Sequence, residues 1–288
     1  MRIVAHISDL HFGRDEPAVA EALLRDLRDV GPALVAVSGD LTQRARTGQF
    51  RAAREFLDRI PFPQLVVPGN HDIPLYDVIR RFMSPLGRYR RHITPDLQPA
   101  WRDGGIAVVG VNTARSATWK NGRISVEQIE HLRGVFCGIP DDIFKVLVAH
   151  HPFVPPPGQP SPPLVGRGFR ALRAIGECGA DLVLAGHLHV GFAVDVSAQK
   201  LPISSAMLIV QAGTAISNRH RNEPNTYNVL TIDPPGLTLE VRAFDGQRFE
   251  RSKSGVYERR EGEWRVLGAP GPELRPSVRP AVSPRVAS

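Results

Sequence analysis

The sequence predicts an α/β fold with two large sheets. Three observations carry that reading. Apolar strand-like runs alternate with amphipathic helix-like segments through the first 190 residues. Consecutive strand-like segments follow, with turns between them. The composition, 42% hydrophobic and 23% charged over 288 residues, is ordinary globular usage, which excludes a collagen, a coiled coil and a wholly disordered chain.

The elements follow in order. Ile3 to Ile7 is a short apolar strand, and Ala18 to Val30 is a helix with Val19, Ala22, Leu23, Leu27 and Val30 on one face. Leu34 to Val37 is the next strand, Gln49 to Ile60 an amphipathic helix, and Leu65 to Val67 a third strand. Ile106 to Val111 is a strand ending at Asn112; Ser125 to Phe136 is a helix with Ser125 as N-cap and Gln128 at N3. Val146 to Ala149, the helix Phe169 to Cys178, and Leu182 to Ala185 complete the alternating part. Phe192 to Val196, Ala206 to Gln211, Tyr227 to Ile232 and Leu237 to Phe244 are strands, with a terminal hairpin of Val256 to Arg260 and Glu263 to Val266 around Gly262. Pro152 to Pro163 holds seven prolines in twelve residues and is a stiff loop. One domain is expected over residues 1–267, followed by a disordered Pro/Arg-rich tail over 268–288.

The formal net charge is +7, which favours anionic partners without choosing among them. From Arg265 onward four arginines face one acid, Glu273, so nearly half of the excess is tail and nucleic acid is not favoured as a partner. Cys137 and Cys178 form no disulfide framework and no metal spacing; they read as core thiols of a reducing, cytoplasmic protein. The N-terminus reads as a strand, not a signal peptide, and no apolar run reaches the ~18 residues of a membrane span. A C-terminal β segment leaves a homodimer open.

Five polar clusters each follow directly on an apolar strand: Asp9-Leu10-His11, Gly39-Asp40, Gly69-Asn70-His71-Asp72, His150-His151-Pro152 and Gly186-His187-Leu188-His189. In open α/β sheets the loops past the strand C-termini share one crevice. Taken singly, Gly-Asn-His-Asp is a plausible turn and Asp40 a plausible cap. Together they present oxygen and nitrogen donors suited to Zn, Mn or Fe. In Asp-x-His and His-x-His an extended backbone points both side chains the same way, and the glycines before Asp40, Asn70 and His187 allow sharp turns. His151 is a candidate neighbour of the ligands; His6, His92, His131 and His220 read as structural or surface groups. Arg115, Trp119, Lys120 and Asn121 sit in a loop past a strand end and are candidates to contact a substrate phosphate or base, with a solvated loop as the alternative reading; Gly213-Thr214 follows another strand and is a candidate lining pair.

Asp-x-His, Gly-Asp, Gly-Asn-His-Asp, His and Gly-His-x-His in this order resemble the calcineurin-like metallophosphoesterases, from Ile3 to about Gly213. Asn121-Gly122-Arg123-Ile124 before a Gln-containing helix is similar to the class III 3′,5′-cyclic-nucleotide phosphodiesterases. The resemblance implies a four-layer α-β-β-α sandwich with two mixed sheets and two divalent metal ions, Fe or Mn foremost and Zn also possible. It implies Asp9, His11 and His189 on one ion, Asn70, His150 and His187 on the other, and Asp40 bridging. It implies His71 as the acid that protonates the leaving oxygen, with Asp72 orienting its ring. The chemistry is hydrolysis by a hydroxide held between two ions, which lower a water's pKa toward ~7. The first substrate choice is a small phosphodiester such as 3′,5′-cyclic AMP. A UDP-diacylglucosamine-type lipid pyrophosphatase, a DNA exonuclease and a protein phosphatase are the enzymatic alternatives, and a metal-binding scaffold the non-enzymatic one.

Overall fold

The computed structural model describes residues 1–118, 120–158, 164–196, 206–219, 223–260 and 263–267. The elements in order are β1 (Arg2–Ile7), α1 (Pro17–Val30), β2 (Leu34–Ser38), α2 (Thr47–Asp58), β3 (Gln64–Val67), a 3-10 turn (Asn70–Asp72), α3 (Val78–Met83), α4 (Gly87–His92), β4 (Ala100–Asp103) and β5 (Ile106–Gly110). Then come α5 (Val126–Cys137), β6 (Phe144–Val148), α6 (Gly168–Gly176), β7 (Leu182–Ala185), β8 (Phe192–Asp195), β9 (Leu208–Gln211), β10 (Thr226–Asp233), β11 (Gly236–Phe244), β12 (Phe249–Arg260) and β13 (Glu263–Leu267).

The strands form two mixed sheets. One runs β13-β12-β11-β10-β1-β2-β3, the other β4-β5-β6-β7-β9-β8. The segments that alternate with helices pair in parallel, β1 with β2, β2 with β3, β5 with β6 and β6 with β7. Because side chains alternate across a strand, each central strand feeds two cores. Leu34 and Ala36 of β2 meet Val146 and Val148 of β6 in a cluster between the sheets. Val35 and Val37 face outward onto Leu23, Leu27 and Phe50 of the first pair of helices. Leu147 faces the other way, onto Leu132, Phe136 and Leu172 of α5 and α6. Three apolar layers between four structural ones make the α-β-β-α sandwich, and strands buried on both faces are why they read as near-continuous apolar runs.

Local signals agree with the helices they mark. Pro17 opens α1, and Gly31 closes it at φ 61° with its N–H on Leu27 O. Ser125 and Gln128 form the expected capping box at α5, with Gln128 N–H on Ser125 Oγ at 3.1 Å and Ser125 N–H on Gln128 Oε1 at 3.0 Å. Asp26 of α1 is buried against the sheet, where Arg242 reaches both carboxylate oxygens at 2.6 Å and Tyr227 donates its hydroxyl.

The structure corrects the sequence reading in two places. First, α3, α4, β4 and the first half of β12 form although their sequences carry no inward apolar period. The one buried side chain of α3 is Arg81, and β4 reads Ala-Trp-Arg-Asp. Second, Cys137 and Cys178 are not core thiols but a disulfide, with Cα atoms 4.6 Å apart. α5 and α6 lie side by side, and the bond joins the exposed end of α5 to the residue pair just past α6. The argument for a reducing compartment therefore loses its premise. Among the described residues no helix is long and apolar enough to cross a membrane. The tail 268–288, Trp119, His220, Gly262 and part of the Pro-rich loop lie outside the described residues.

Candidate metal centre

The five strand-end clusters meet in one place. Asp9 and His11 follow β1, Asp40 follows β2, Asn70 follows β3, His150 follows β6, and His187 and His189 follow β7. Backbone bonds lace these loops together: Asp9 N–H to Gly39 O at 3.1 Å, His11 N–H to Asp40 O at 2.9 Å and Gly186 N–H to His150 O at 2.9 Å.

The side chains converge by a different route than an extended backbone. Among the described residues, seven non-glycine residues have positive φ, and five of them are Asp9 (54°), His11 (48°), Asp40 (52°), His187 (78°) and His189 (59°). A left-handed non-glycine residue costs on the order of 1–3 kcal/mol and persists only where its surroundings over-determine it. Strain concentrated on these positions is what turns Asp-x-His and His-x-His inward. The neighbouring glycines act by close approach more than by turning. Only Gly39 of the three has positive φ (89°); a Cβ there would come within 2.7 Å of His150 Nδ1. A Cβ on Gly69 would run into Asp40 Oδ1, and one on Gly186 into Ser8 Oγ.

Two sets of donors result, with Asp40 between them. His11 Nε2 lies 3.6 Å from Asp9 Oδ1 and 3.7 Å from Asp40 Oδ2, and His189 Nε2 lies 3.8 Å from Asp9 Oδ1. On the other side, His150 Nε2 lies 3.3 Å from Asp40 Oδ1, 3.2 Å from Asn70 Oδ1 and 3.3 Å from His187 Nδ1. The two carboxylate oxygens of Asp40 thus face different sets. Asp9 Oδ1 and His11 Nε2 are buried with no hydrogen-bond partner. Leaving such groups unsatisfied costs about 1–3 kcal/mol each. A cation fits them: the donors are oxygen and nitrogen and lie close enough to share one ion.

Outer contacts fix the rings. His150 Nδ1–H donates to Ser38 O at 2.8 Å, and His189 Nδ1 meets Thr214 Oγ1 at 2.6 Å. Asp9 Oδ2 accepts from Ser8 Oγ at 2.7 Å and from the His187 N–H at 2.9 Å. Bonds of this kind orient candidate ligands and fix tautomers. Burial pushes Asp40 up, but the fields of His150 and His71 overcome it and hold the carboxyl well below the usual carboxylate range. Burial likewise pushes Asp9 up, and His189, His11 and His150 together outweigh it, so Asp9 is also lowered. Burial pushes His150 down, yet Asp40 raises it to about 9. Burial and the field of His150 push His187 down to about 3.

His71 sits at the mouth of the centre. Its N–H donates to Asp40 Oδ1 at 2.8 Å, its Nδ1 lies 2.9 Å from Gln43 O, and its Nε2 lies 3.1 Å from Arg219 Nη1. A carbonyl only accepts, so the proton is on Nδ1 and Nε2 accepts from Arg219. Burial lowers the pKa of His71. The orienting contact assigned to Asp72 is therefore made by the Gln43 carbonyl. Asp72 instead accepts the backbone N–H groups of Thr42 at 2.9 Å, Gly69 at 2.9 Å and Leu41 at 3.2 Å, and it ties the β2 and β3 loops to each other. Burial, with repulsion from Asp40, raises its pKa to about 6.

Gln43, Arg219 and Thr214 are the site residues with the weakest sequence signals; Gln43 and Arg219 lie in no motif. His151 packs its ring 4.9 Å from those of both His150 and His187, with Nδ1 2.7 Å from Thr113 Oγ1. His6 is a satisfied core residue, with Nε2 2.9 Å from Ser38 Oγ. Arg115 is taken up by Gln128 and the Ala114 carbonyl, whereas Lys120 lines a cleft of about 270 Å³ together with Arg44, Asn70, His71, Arg81 and Arg219.

Comparison with known proteins gives the family and the fold. Residues 3–191 match the family model of the calcineurin-like phosphoesterases. The glycerophosphodiester phosphodiesterase GpdQ of Enterobacter lignolyticus is 34% identical over 82 residues, 24% of this chain and 29% of that protein. A Synechococcus protein named "Probable cyclic nucleotide phosphodiesterase" is 29% identical over 80 residues, 25% of this chain and 31% of its own. The matches thus span under a third of either relative. Purple acid phosphatase PPD1 from yellow lupin (Lupinus luteus) seeds shares the fold at a TM-score of 0.64 and 13% identity, over 90% of this chain and 54% of that one. GAP50 of Plasmodium shares it at 0.59 and 12% identity, over 91% and 90%. The chain belongs to the calcineurin-like phosphoesterase family.

Proposed function

We propose that this family member is a metal-dependent phosphoric diester hydrolase acting on small diesters, with 3′,5′-cyclic AMP and glycerophosphodiesters as first candidates. The observation that carries the reading is the pair of donor sets divided by Asp40, in which Asp9 Oδ1 and His11 Nε2 are buried without partners. Asp9, His11 and His189 would hold one divalent ion and Asn70, His150 and His187 the other, with Asp40 shared. The oxygen and nitrogen donors suit Mn, Fe or Zn. When bound, such ions supply Lewis acidity to a water and to the phosphoryl oxygens.

The residues of the chain do the rest. Arg219 and Lys120 place positive charge along the cleft that an anionic diester enters. Arg219 exchanges its contact with His71 Nε2 for a phosphoryl oxygen. That nitrogen, freed, takes up a proton from solvent and passes it to the leaving oxygen, while the Gln43 carbonyl at Nδ1 stabilises the transiently charged ring. Asp40 contributes by accepting the backbone N–H of His71, which holds that residue's main chain beside the cleft. An alkoxide leaves poorly, so such an acid is worth roughly 10²–10⁴-fold. The names of the two curated relatives support a diester over a monoester.

A substrate panel with Mn²⁺ tests the reading: cyclic AMP, glycerophosphodiesters, bis(p-nitrophenyl) phosphate, UDP-diacylglucosamine, single-stranded DNA and phosphomonoesters. Turnover of small diesters well above monoesters is expected. Turnover of the lipid pyrophosphate or DNA alone moves the chain to that class, and no turnover with two ions bound leaves a metal-binding scaffold.

A further inference from the structure

The arm between the Gly-Asn-His-Asp turn and α4 reverses the usual distribution of side chains. Ile79 is 79% exposed, Met83 81%, Tyr76 75% and Phe82 60%, whereas Arg81 beside them is 2% exposed. Arg81 holds the arm to the body: its guanidinium donates to the carbonyls of Pro74 at 3.0 Å, Ser116 at 2.8 Å and Thr118 at 3.1 Å. A buried arginine and an exposed apolar ridge are the informative exceptions to normal burial, and together they mark an interaction face. A helix this short gains nothing by turning its apolar residues to water.

Charge decides the partner. Between Tyr76 and Arg91 there are five arginines and one acid, Asp77. Asp77 is already paired with Arg80 at 3.0 Å. Arg90 and Arg91 are exposed just past the ridge. A second copy docking by a two-fold axis would set this basic rim against itself. An apolar ridge flanked by arginines complements an anionic lipid surface, where the ridge enters the acyl boundary and the arginines meet headgroup phosphates. The arm also borders the cleft: Leu75 and Arg81 line it together with Asn70 and His71.

We propose that the Tyr76–Met83 ridge docks this protein onto anionic bilayers, with the mouth of the metal centre at headgroup level. The proposal stands independently of the reaction assigned to that centre. The test is co-sedimentation of the full chain with vesicles of phosphatidylcholine alone and of phosphatidylcholine with ~30% phosphatidylglycerol. Binding only to the anionic vesicles is expected, released by raising the salt from about 50 to 500 mM. Ile79→Glu with Phe82→Glu should lower the bound fraction at least about tenfold. Thermal unfolding and turnover of bis(p-nitrophenyl) phosphate should stay unchanged in that variant. Arg90→Gln with Arg91→Gln should weaken binding and flatten its salt dependence. Failure of the wild type to sediment with anionic vesicles overturns the proposal, as does equal binding by the Glu variant. A wild-type dimer that the Glu variant splits, without vesicle binding, assigns the ridge to a second copy instead.

Discussion

The metal cradle and the arm that borders it share one cleft and are built on opposite plans. In the cradle, polar side chains are buried and apolar strands hold them there: Asp9, His11 and His150 are fully shielded from solvent. In the arm, apolar side chains are exposed and a charged one, Arg81, is the anchor. The cradle stores backbone strain at five of the proposed ligand positions and is supported from both sheets; the arm is tied down by the contacts of Arg81 with three carbonyls among others. The difference matches the two roles proposed for them, chemistry for the cradle and docking for the arm. Chemistry needs donors fixed to a fraction of an ångström, and a strained, over-determined backbone supplies that. Docking needs an exposed face, and its geometry tolerates a looser mount.

The largest expected effect lies at the point the two donor sets share. Asp40→Ala removes both the shared carboxylate and the acceptor for the His71 N–H. Bound metal should fall from two ions to fewer than one, with turnover down by more than about 10³-fold. Elemental analysis beside a turnover assay checks this; two retained ions with normal activity would remove Asp40 from the centre.

A smaller and more selective loss is expected one residue layer out. His71→Ala should keep both ions and lose roughly 10²–10⁴ in turnover, most with alkyl leaving groups and least with p-nitrophenol. Loss of metal in that variant would move His71 into the ligand set and redraw the boundary between binding and proton transfer.

The smallest effect tests whether cradle and arm are separate at all. Arg81→Met strands the carbonyls of Pro74, Ser116 and Thr118, at a cost of about 2–3 kcal/mol. Cleavage by a protease within the arm should rise while metal content stays normal. A variant that loses metal instead would make the arm part of the cradle.

How legible each region was follows from the same contrast. The cradle is legible because each of its polar clusters abuts an apolar strand, and a strand buried on both faces leaves a near-continuous apolar run in the sequence. Ser125 and Gln128 were readable for a similar reason, since a capping box is a local bond pair at fixed spacing. The arm was not: six helical residues with the apolar side outward have no inward period to find. Asp72 shows a subtler limit. It belongs to the right motif, and its bond to the Gly69 N–H is local, yet its carboxylate also binds the N–H groups of Leu41 and Thr42 about thirty positions away, contacts that no local spacing encodes. The disulfide failed for the same reason, because Cys137 and Cys178 are 41 positions apart and meet only when α5 and α6 pack.

By itself the sequence determined the order of the strands that carry the polar clusters and of the longer helices between them, the donor types at the strand ends and the family they mark, because those depend on residue type and short spacing. Only the tertiary structure decided how the donors divide around Asp40, which carbonyl holds the His71 proton, that the glycines make room for neighbouring loops, and that Arg81 turns inward while Ile79 and Phe82 turn out. Each of those depends on two chain segments arriving at one place, and the free energy that settles it belongs to the contact and to neither segment alone.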